Sequence, residues 1–112
     1  MTSFKPLEIT DIEVITQMMQ DFYAIDNYPM DVEVAKNLFH EFISNENLGK
    51  SWLIYSENEI VGYIILTFIF SFEYGGKIAF VDELFIKETA RGKGFGKEAI
   101  QFIQQEVPKL SL

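Results

Sequence analysis

Apolar positions recur at helical spacing through the first half of the chain and at strand spacing through much of the second. Phe4 to Ile9 reads as a short strand. Thr10-Asp11-Ile12-Glu13 then has the S/T-x-x-E order of a capping box, in which side chains satisfy the open backbone N–H groups of a helix start. Ile12, Ile15, Met19 and Phe22 share one helical face and predict a first helix running to about Asn27, where Asn27-Tyr28-Pro29 stops it. Asp31 is placed to cap a second helix. Its Ala35, Leu38, Phe39 and Phe42 form a buried stripe that fades at Ser44-Asn45-Glu46-Asn47.

From Lys50 the period changes. Trp52 to Tyr55, a turn at Glu57-Asn58-Glu59, and the β-branched and aromatic run Ile60 to Phe68 predict a hairpin. Tyr74-Gly75-Gly76-Lys77 supplies the next turn, and Ile78 to Ile86 another strand. A glycine-rich segment follows, and then a helix with Phe95, Ala99, Phe102 and Ile103 on one face, ended near Pro108. The order is strand, two helices, three strands, helix. It predicts a mixed α/β (α+β) architecture, a sheet covered by helices.

Composition narrows the chemistry. With 112 residues the chain has room for one core, so residues 1–112 are expected to be a single domain. No cysteine is present, which removes disulfides, zinc-thiolate sites and cysteine nucleophiles, and the lone His40 makes no metal site by itself. Seventeen acidic against nine basic residues give a net charge of -8, which argues against nucleic acid or an anionic membrane as a partner and favours a cationic small molecule. The apolar run Ile60 to Phe72 is interrupted by polar residues and far short of the roughly 20 needed to span a bilayer. No secretory leader is visible after Met1, and a cytoplasmic address is expected.

Most of the chemical information lies in Arg91-Gly92-Lys93-Gly94-Phe95-Gly96-Lys97. A strand end, three alternating glycines and an immediate helix start bring backbone N–H groups toward one point. Four of the nine bases, Lys87, Arg91, Lys93 and Lys97, crowd into this stretch of an acidic chain, so a phosphate or pyrophosphate is the expected anion. A flexible turn with solvated lysines is the plainer reading of the same composition. A nucleoside-triphosphate loop is excluded, because Gly92 and Gly96 enclose three residues rather than four and Glu98 follows Lys97. The dinucleotide fingerprint fails as well, since Lys97 stands where its third glycine belongs.

The segment does fit R/Q-x-x-G-x-G/A directly after the strand Phe80 to Ile86. In this it resembles the GNAT superfamily of N-acetyltransferases, and the order of elements over residues 4 to 107 is similar too. The resemblance implies a mostly antiparallel sheet flanked by helices and acetyl-CoA as cosubstrate, with no metal. Backbone groups of Leu84, Phe85 and Ile86 would hold the pantetheine arm. Arg91, Gly92, Lys93, Gly94, Phe95, Gly96 and Lys97 would hold the pyrophosphate.

The implied reaction is attack by a primary amine on the thioester carbonyl, with a carboxylate taking the ammonium proton directly or through water and backbone donors stabilising the developing oxyanion. Asp82 and Glu83 stand where relatives carry an acidic pair, in reversed order. Neighbouring strand residues alternate between faces, so one of the two at most is expected to face the amine, and the sequence leaves open which. Tyr23, Asp26 and Tyr28, with Asn27, fall where the acceptor site usually borders the first helix. A solvated helix end is the alternative. Tyr63, Glu73 and Tyr74 are further candidates for the same groove, whereas His40 reads as a helix-surface residue.

The chain departs from the family pattern at its end. Members continue with a strand, a helix and a final strand; here Leu110-Ser111-Leu112 reads as the start of that missing part, and no tyrosine follows Tyr74 to protonate the departing thiolate. The expectation is therefore a C-terminally truncated acetyl-CoA-binding domain, self-associating as a homodimer to cover its open edge. It acts on a small-molecule or peptide amine, or else serves as a non-catalytic CoA-binding or interaction module completed by another chain.

Overall fold

In the computed structural model, which describes residues 1–110 and 112, four antiparallel strands lie in sequence order, β1 (Thr2–Pro6), β2 (Gly49–Ser56), β3 (Glu59–Ser71) and β4 (Gly76–Ile86). Helices α1 (Ile12–Ile25) and α2 (Val32–Ser44) precede β2, and α3 (Phe95–Glu106) follows β4. A short 3₁₀ turn, Val107–Lys109, with Pro108 inside it, closes α3. The expected strand start at Leu110–Leu112 falls in part on residue 111, outside the described residues.

Strand alternation divides the sheet into two apolar faces. Leu53, Tyr63, Ile65 and Phe85 point toward one side, where Ile12, Ile15, Met18 and Met19 of α1 and Phe39 of α2 cover them. Trp52, Ile54, Ile64 and Leu66 point to the other, packing on Ala99 and Ile103 of α3. Phe102 stacks on Phe4 at 4.2 Å between ring centroids and meets Trp52 edge-on at 5.3 Å, so α3 ties β1 to β2 from below. Both faces of β2 and β3 being buried explains why their sequence reads as an unbroken apolar run rather than an alternation.

The local starts and stops follow from specific residues. Asp31 caps α2, its Oδ1 accepting from the Val34 amide at 3.1 Å. The first helix begins differently from expectation. Ile9–Asp11 forms a 3₁₀ turn, and it is Asp11, not Glu13, whose carboxylate returns to the chain, accepting from the Glu8 amide at 2.9 Å and from Lys5 Nζ at 2.6 Å. The charged bond from Lys5 at the end of β1 selects this pairing, two residues earlier than the Thr10 pattern suggests. Helix α1 ends at Ile25, because Asn27 takes a left-handed φ of 56°. Glu57 and Asn58 are both left-handed as well, which gives the two-residue β2–β3 turn the twist that matches its strands.

At Gly62 the backbone of β4 lies close against β3. A Cβ at this position would lie 2.0 Å from the carbonyl oxygen of Phe85, which is backbone and cannot swing aside. Gly62→Ala must therefore push the two strands apart beside Leu84–Ile86. Overpacking of this kind costs about 1–3 kcal/mol, and denaturant unfolding should show that loss of stability with the m-value unchanged.

Candidate functional site

Two neighbouring features lie at and after the C-terminal half of β4. The first is the glycine loop. A 3₁₀ turn, Glu88–Ala90, anchors its start through bonds from the Ala90 amide to the Lys87 carbonyl (2.9 Å) and from the Arg91 amide to the Glu88 carbonyl (3.3 Å), with the Ala90 side chain buried against the α3 side of the core. Gly94, at φ 84°, is the left-handed residue from which α3 departs, a conformation that costs an L side chain energy. A Cβ added at Gly92, Gly94 or Gly96 would meet no atom within 4 Å, so the space above the loop is open. Among the described residues no amide from 92 to 97 donates to a turn or loop carbonyl, and the first paired amide is that of Glu98, to the Gly94 carbonyl at 3.0 Å. Unpaired amides at the positive end of a helix, beside an open space, suit a phosphate.

The loop's basic residues divide in two. Arg91 turns back onto the strand, its Nε donating to the Ile86 carbonyl at 3.0 Å and its guanidinium lying 5.8 Å from the Phe85 ring centroid. It fixes the exit of β4. Lys87, Lys93 and Lys97 have no ion pair among the described residues and remain available to a bound anion.

The second feature is a groove of about 320 Å³ between α1, α2 and the α1/α2 side of β3 and β4. Asp82 and Glu83 both line it, which the alternation of a regular strand forbids. The register explains the difference. Ile65 pairs with Glu83 but the next residue, Leu66, pairs with Val81, so Asp82 is an extra residue on β4 and the strand bulges there. The expectation that at most one of the pair faces the groove is thus corrected by a β-bulge that no residue pattern announces.

Glu83 is held at both oxygens. The Tyr63 hydroxyl donates to Oε1 at 2.8 Å and the Tyr23 hydroxyl donates to Oε2, so α1 and β3 orient the carboxylate from two directions. Burial, and then the charge and hydrogen bond of Glu83, raise the Tyr63 phenol above its ordinary value; burial, then the hydrogen bond to Glu83, raises that of Tyr23. Asp82 makes no hydrogen bond or ion pair among the described residues and is exposed.

The remaining sequence candidates separate. Leu84 and Ile86 pack toward α3 and Phe85 toward α1, while the outer edge of β4 has no strand beside it among the described residues, so its backbone is open along the segment next to the loop. Of the three acceptor-site candidates Tyr23 lines the groove; Asp26 and Tyr28 are exposed past the end of α1 and do not line it. Glu73 and Tyr74 are exposed at the tip of the β3–β4 hairpin, and His40 is exposed on α2. Leu38, expected in the buried stripe of α2, is instead exposed and lines the groove with Val34 and Met30. The sequence carries a signal for this: Val34 and Leu38 lie four apart, a second apolar row beside that of Ala35 and Phe39.

The tyrosine clamp has a consequence in alkaline solution. A phenol raised in the folded state stays neutral past about pH 10, where a free phenol ionises, so its stabilisation is complete below that pH and lost as pH climbs from there toward the folded value. Ultraviolet difference titration of the native protein against Tyr63→Phe should show no phenolate from Tyr63 near pH 10 while the fold persists. Phenolate appearing there at the free-tyrosine midpoint would mean that Tyr63 is neither buried nor held against Glu83.

Comparison with known proteins agrees with this architecture. The sequence model of the acetyltransferase (GNAT) family matches residues 13–112. An integron cassette protein from the mobile metagenome of Cole Harbour Salt Marsh superposes with a TM-score of 0.90 at 37% identity, over 97% of this chain and 72% of that one. A predicted acetyltransferase from Clostridium acetobutylicum, solved with acetyl-CoA, superposes with a TM-score of 0.78 at 14% identity, over 97% of this chain and 75% of that one. A possible acetyltransferase from Clostridium difficile 630 gives 0.82 at 15% identity, over 93% and 69%. No curated protein matches the sequence. With the family's sequence model spanning α1 to the end and a four-stranded antiparallel sheet flanked by three helices, the chain belongs to the GNAT family of acetyltransferases.

Proposed function

We propose that the protein is an acetyl-CoA-dependent N-acetyltransferase that passes an acetyl group directly to a primary amine, in the cytoplasm where that cosubstrate is made available. The observation that carries the reading is the adjacency, along one strand, of an acidic groove and an open glycine loop with unpaired amides. Acetyl-CoA supplies the activated acyl group. The amides of residues 92–97 with Lys93 and Lys97 hold its pyrophosphate, and the open edge of Leu84, Phe85 and Ile86 receives its pantetheine arm. A solved relative bound to acetyl-CoA, and an aminoglycoside N-acetyltransferase bound to CoA whose superposition has a TM-score of 0.77 at 12% identity, support the same choice of cosubstrate.

The two carboxylates take different parts because their surroundings differ. Glu83 already accepts from two phenols, so it is a fixed negative charge that draws the ammonium form of the acceptor to the bulge. Asp82, with no partner among the described residues, is free to accept the ammonium proton, directly or through one water. Tyr23 and Tyr63 are positioning residues for Glu83.

The outer part of β4 and the hairpin tip support self-association. Phe72 is 93% exposed and Phe70 69%, the two rings meeting edge-on at 5.3 Å, and Phe80 and Val81 are exposed farther along the edge strand. A symmetric dimer pairing this surface buries the aromatic tips of both copies and leaves Leu84–Ile86 open.

Three measurements test the reading. Asp82→Asn should lower turnover about 10²- to 10⁴-fold, most at low pH where free amine is scarce, with CoA affinity nearly unchanged; the same loss confined to Glu83→Gln would transfer the role. Gly94→Val, forced into a left-handed φ and filling the open space, should weaken CoA binding roughly tenfold or more in calorimetry. In sedimentation equilibrium at micromolar concentration the protein should be a dimer whose melting temperature rises with concentration, and a strictly monomeric folded species would refute the association.

A further inference from the structure

The groove beside Glu83 has two unlike walls. On the β4 side are Asp82 and Glu83. Facing them, the start of α2 and the turn before it present Pro29, Met30, Val34 and Leu38, with Phe39 at the base. Val34 is 52% exposed and Leu38 59%, although the second is one turn after the first on a helix that has Ala35 and Phe39 buried in the core. Among the described residues nothing covers this outer row, and exposed apolar side chains gathered on one wall of a concave acidic site mark a ligand surface rather than scattered surface residues.

Charge in the groove is gathered at the bulge, where Asp82 and Glu83 are consecutive. Asp31, in the facing wall, has its Oδ1 engaged by the Val34 amide at the start of α2. Tyr63 and Tyr23 hold Glu83 in place without cancelling its charge, and Asp82 is the carboxylate of the lining without a hydrogen bond among the described residues. Among the described residues no lysine or arginine lines the groove. One ammonium group at the bulge is therefore matched, whereas a second cationic centre, or a ring of hydroxyl groups, would be laid against Leu38, Val34 and Met30 and lose its water without gaining a hydrogen bond. The volume of about 320 Å³ is at the lower end of small-molecule sites, which run from about 300 to 1,000 Å³.

We infer that the acceptor is a small primary amine with a single positive charge and an apolar alkyl or aryl body, the ammonium at Asp82 and Glu83 and the body against Val34, Leu38 and Met30. That the amine is acetylated rests on the N-acetyltransferase reading above; the class of molecule rests on the groove alone. The walls thereby set specificity by opposition: acid attracts every amine, and the apolar wall rejects polyamines and amino sugars.

The test follows the carbon-13 methyl signals of the methionines while n-butylamine, n-pentylamine, n-hexylamine, spermidine and kanamycin are titrated in turn, and measures acetyl transfer from acetyl-CoA to each. Hexylamine should move Met19 and Met30, which line the groove, and leave exposed Met1 in place. Its dissociation constant should rise about fourfold for each CH₂ removed, and kcat/KM should fall in the same order. Leu38→Gln, a change at a half-exposed site, should flatten that chain-length dependence while the melting temperature stays within a degree or so of the parent. Tighter binding of spermidine or kanamycin, or no methyl shift with any alkylamine, overturns the inference whatever is acetylated. Chain-length-dependent binding of alkylamines without transfer to any amine upholds the ligand class and instead overturns the acetyltransferase reading.

Discussion

One extra residue in β4 determines where the acidic chemistry of this protein lies. Without the bulge at Asp82, strand alternation would send Asp82 and Glu83 to opposite faces, one into the α1/α2 groove and one toward the α3 side of the sheet. With it, both line the same groove, and the residues on either side return to their proper faces. Phe85 reaches the core under α1, and Leu84 and Ile86 that under α3. The bulge bends the strand at the same point, and Gly62, pressed within 2.0 Å (for a Cβ) of the Phe85 carbonyl, keeps the next residues of β3 and β4 closely paired. Irregular geometry is thus confined to the place where the two carboxylates are brought to one face, and the strand is regular along the edge proposed to receive the pantetheine arm.

The sheet separates the two proposed binding surfaces. The glycine loop belongs to the α3 side, where Ala90 and Phe95 are seated in the core under Trp52, Ile54 and Ile64. The acidic groove belongs to the opposite side, under α1 and α2. Only β4 connects them, at an edge with no neighbouring strand among the described residues. Four of nine bases lie between Lys87 and Lys97 in a chain of net charge -8, so the proposed anion and cation sites adjoin at the C-terminal end of the same strand. Arg91 marks the boundary, bonded to the last carbonyl of β4 and stacked toward Phe85.

Much of this is legible in the sequence. The element order, the cap at Asp31, the hairpin turn at Glu57-Asn58 and the glycine loop all follow from local chemistry, because each depends on residues within a few positions of one another. What is not legible depends on register. Placing Asp82 in a bulge requires knowing that Ile65 meets Glu83 while Leu66 meets Val81, a relation between two strands that neither strand's composition encodes. The bond from Tyr23 to Glu83 joins residues 60 positions apart and appears only when α1 is laid over β4. The displaced capping of α1 has the same origin, since Lys5 reaches Asp11 from the end of a strand. Helical spacing puts Leu38 in the buried stripe although it is exposed, because spacing shows which residues share a face but not how wide a face the sheet covers.

Having two phenols on one carboxylate bears on how the pair of acids can work at all. The hydroxyls of Tyr23 and Tyr63 reach Glu83 from α1 and from β3 and engage both of its oxygens, so that carboxylate is held in one orientation, whereas Asp82 on the bulge has no hydrogen bond among the described residues. Burial first, and then the neighbouring Glu83, keeps the Tyr63 phenol protonated, so that it goes on donating. A fixed acid beside an unengaged one is the asymmetry on which the proposed division of roles rests, and removing either hydroxyl would loosen Glu83 without touching Asp82.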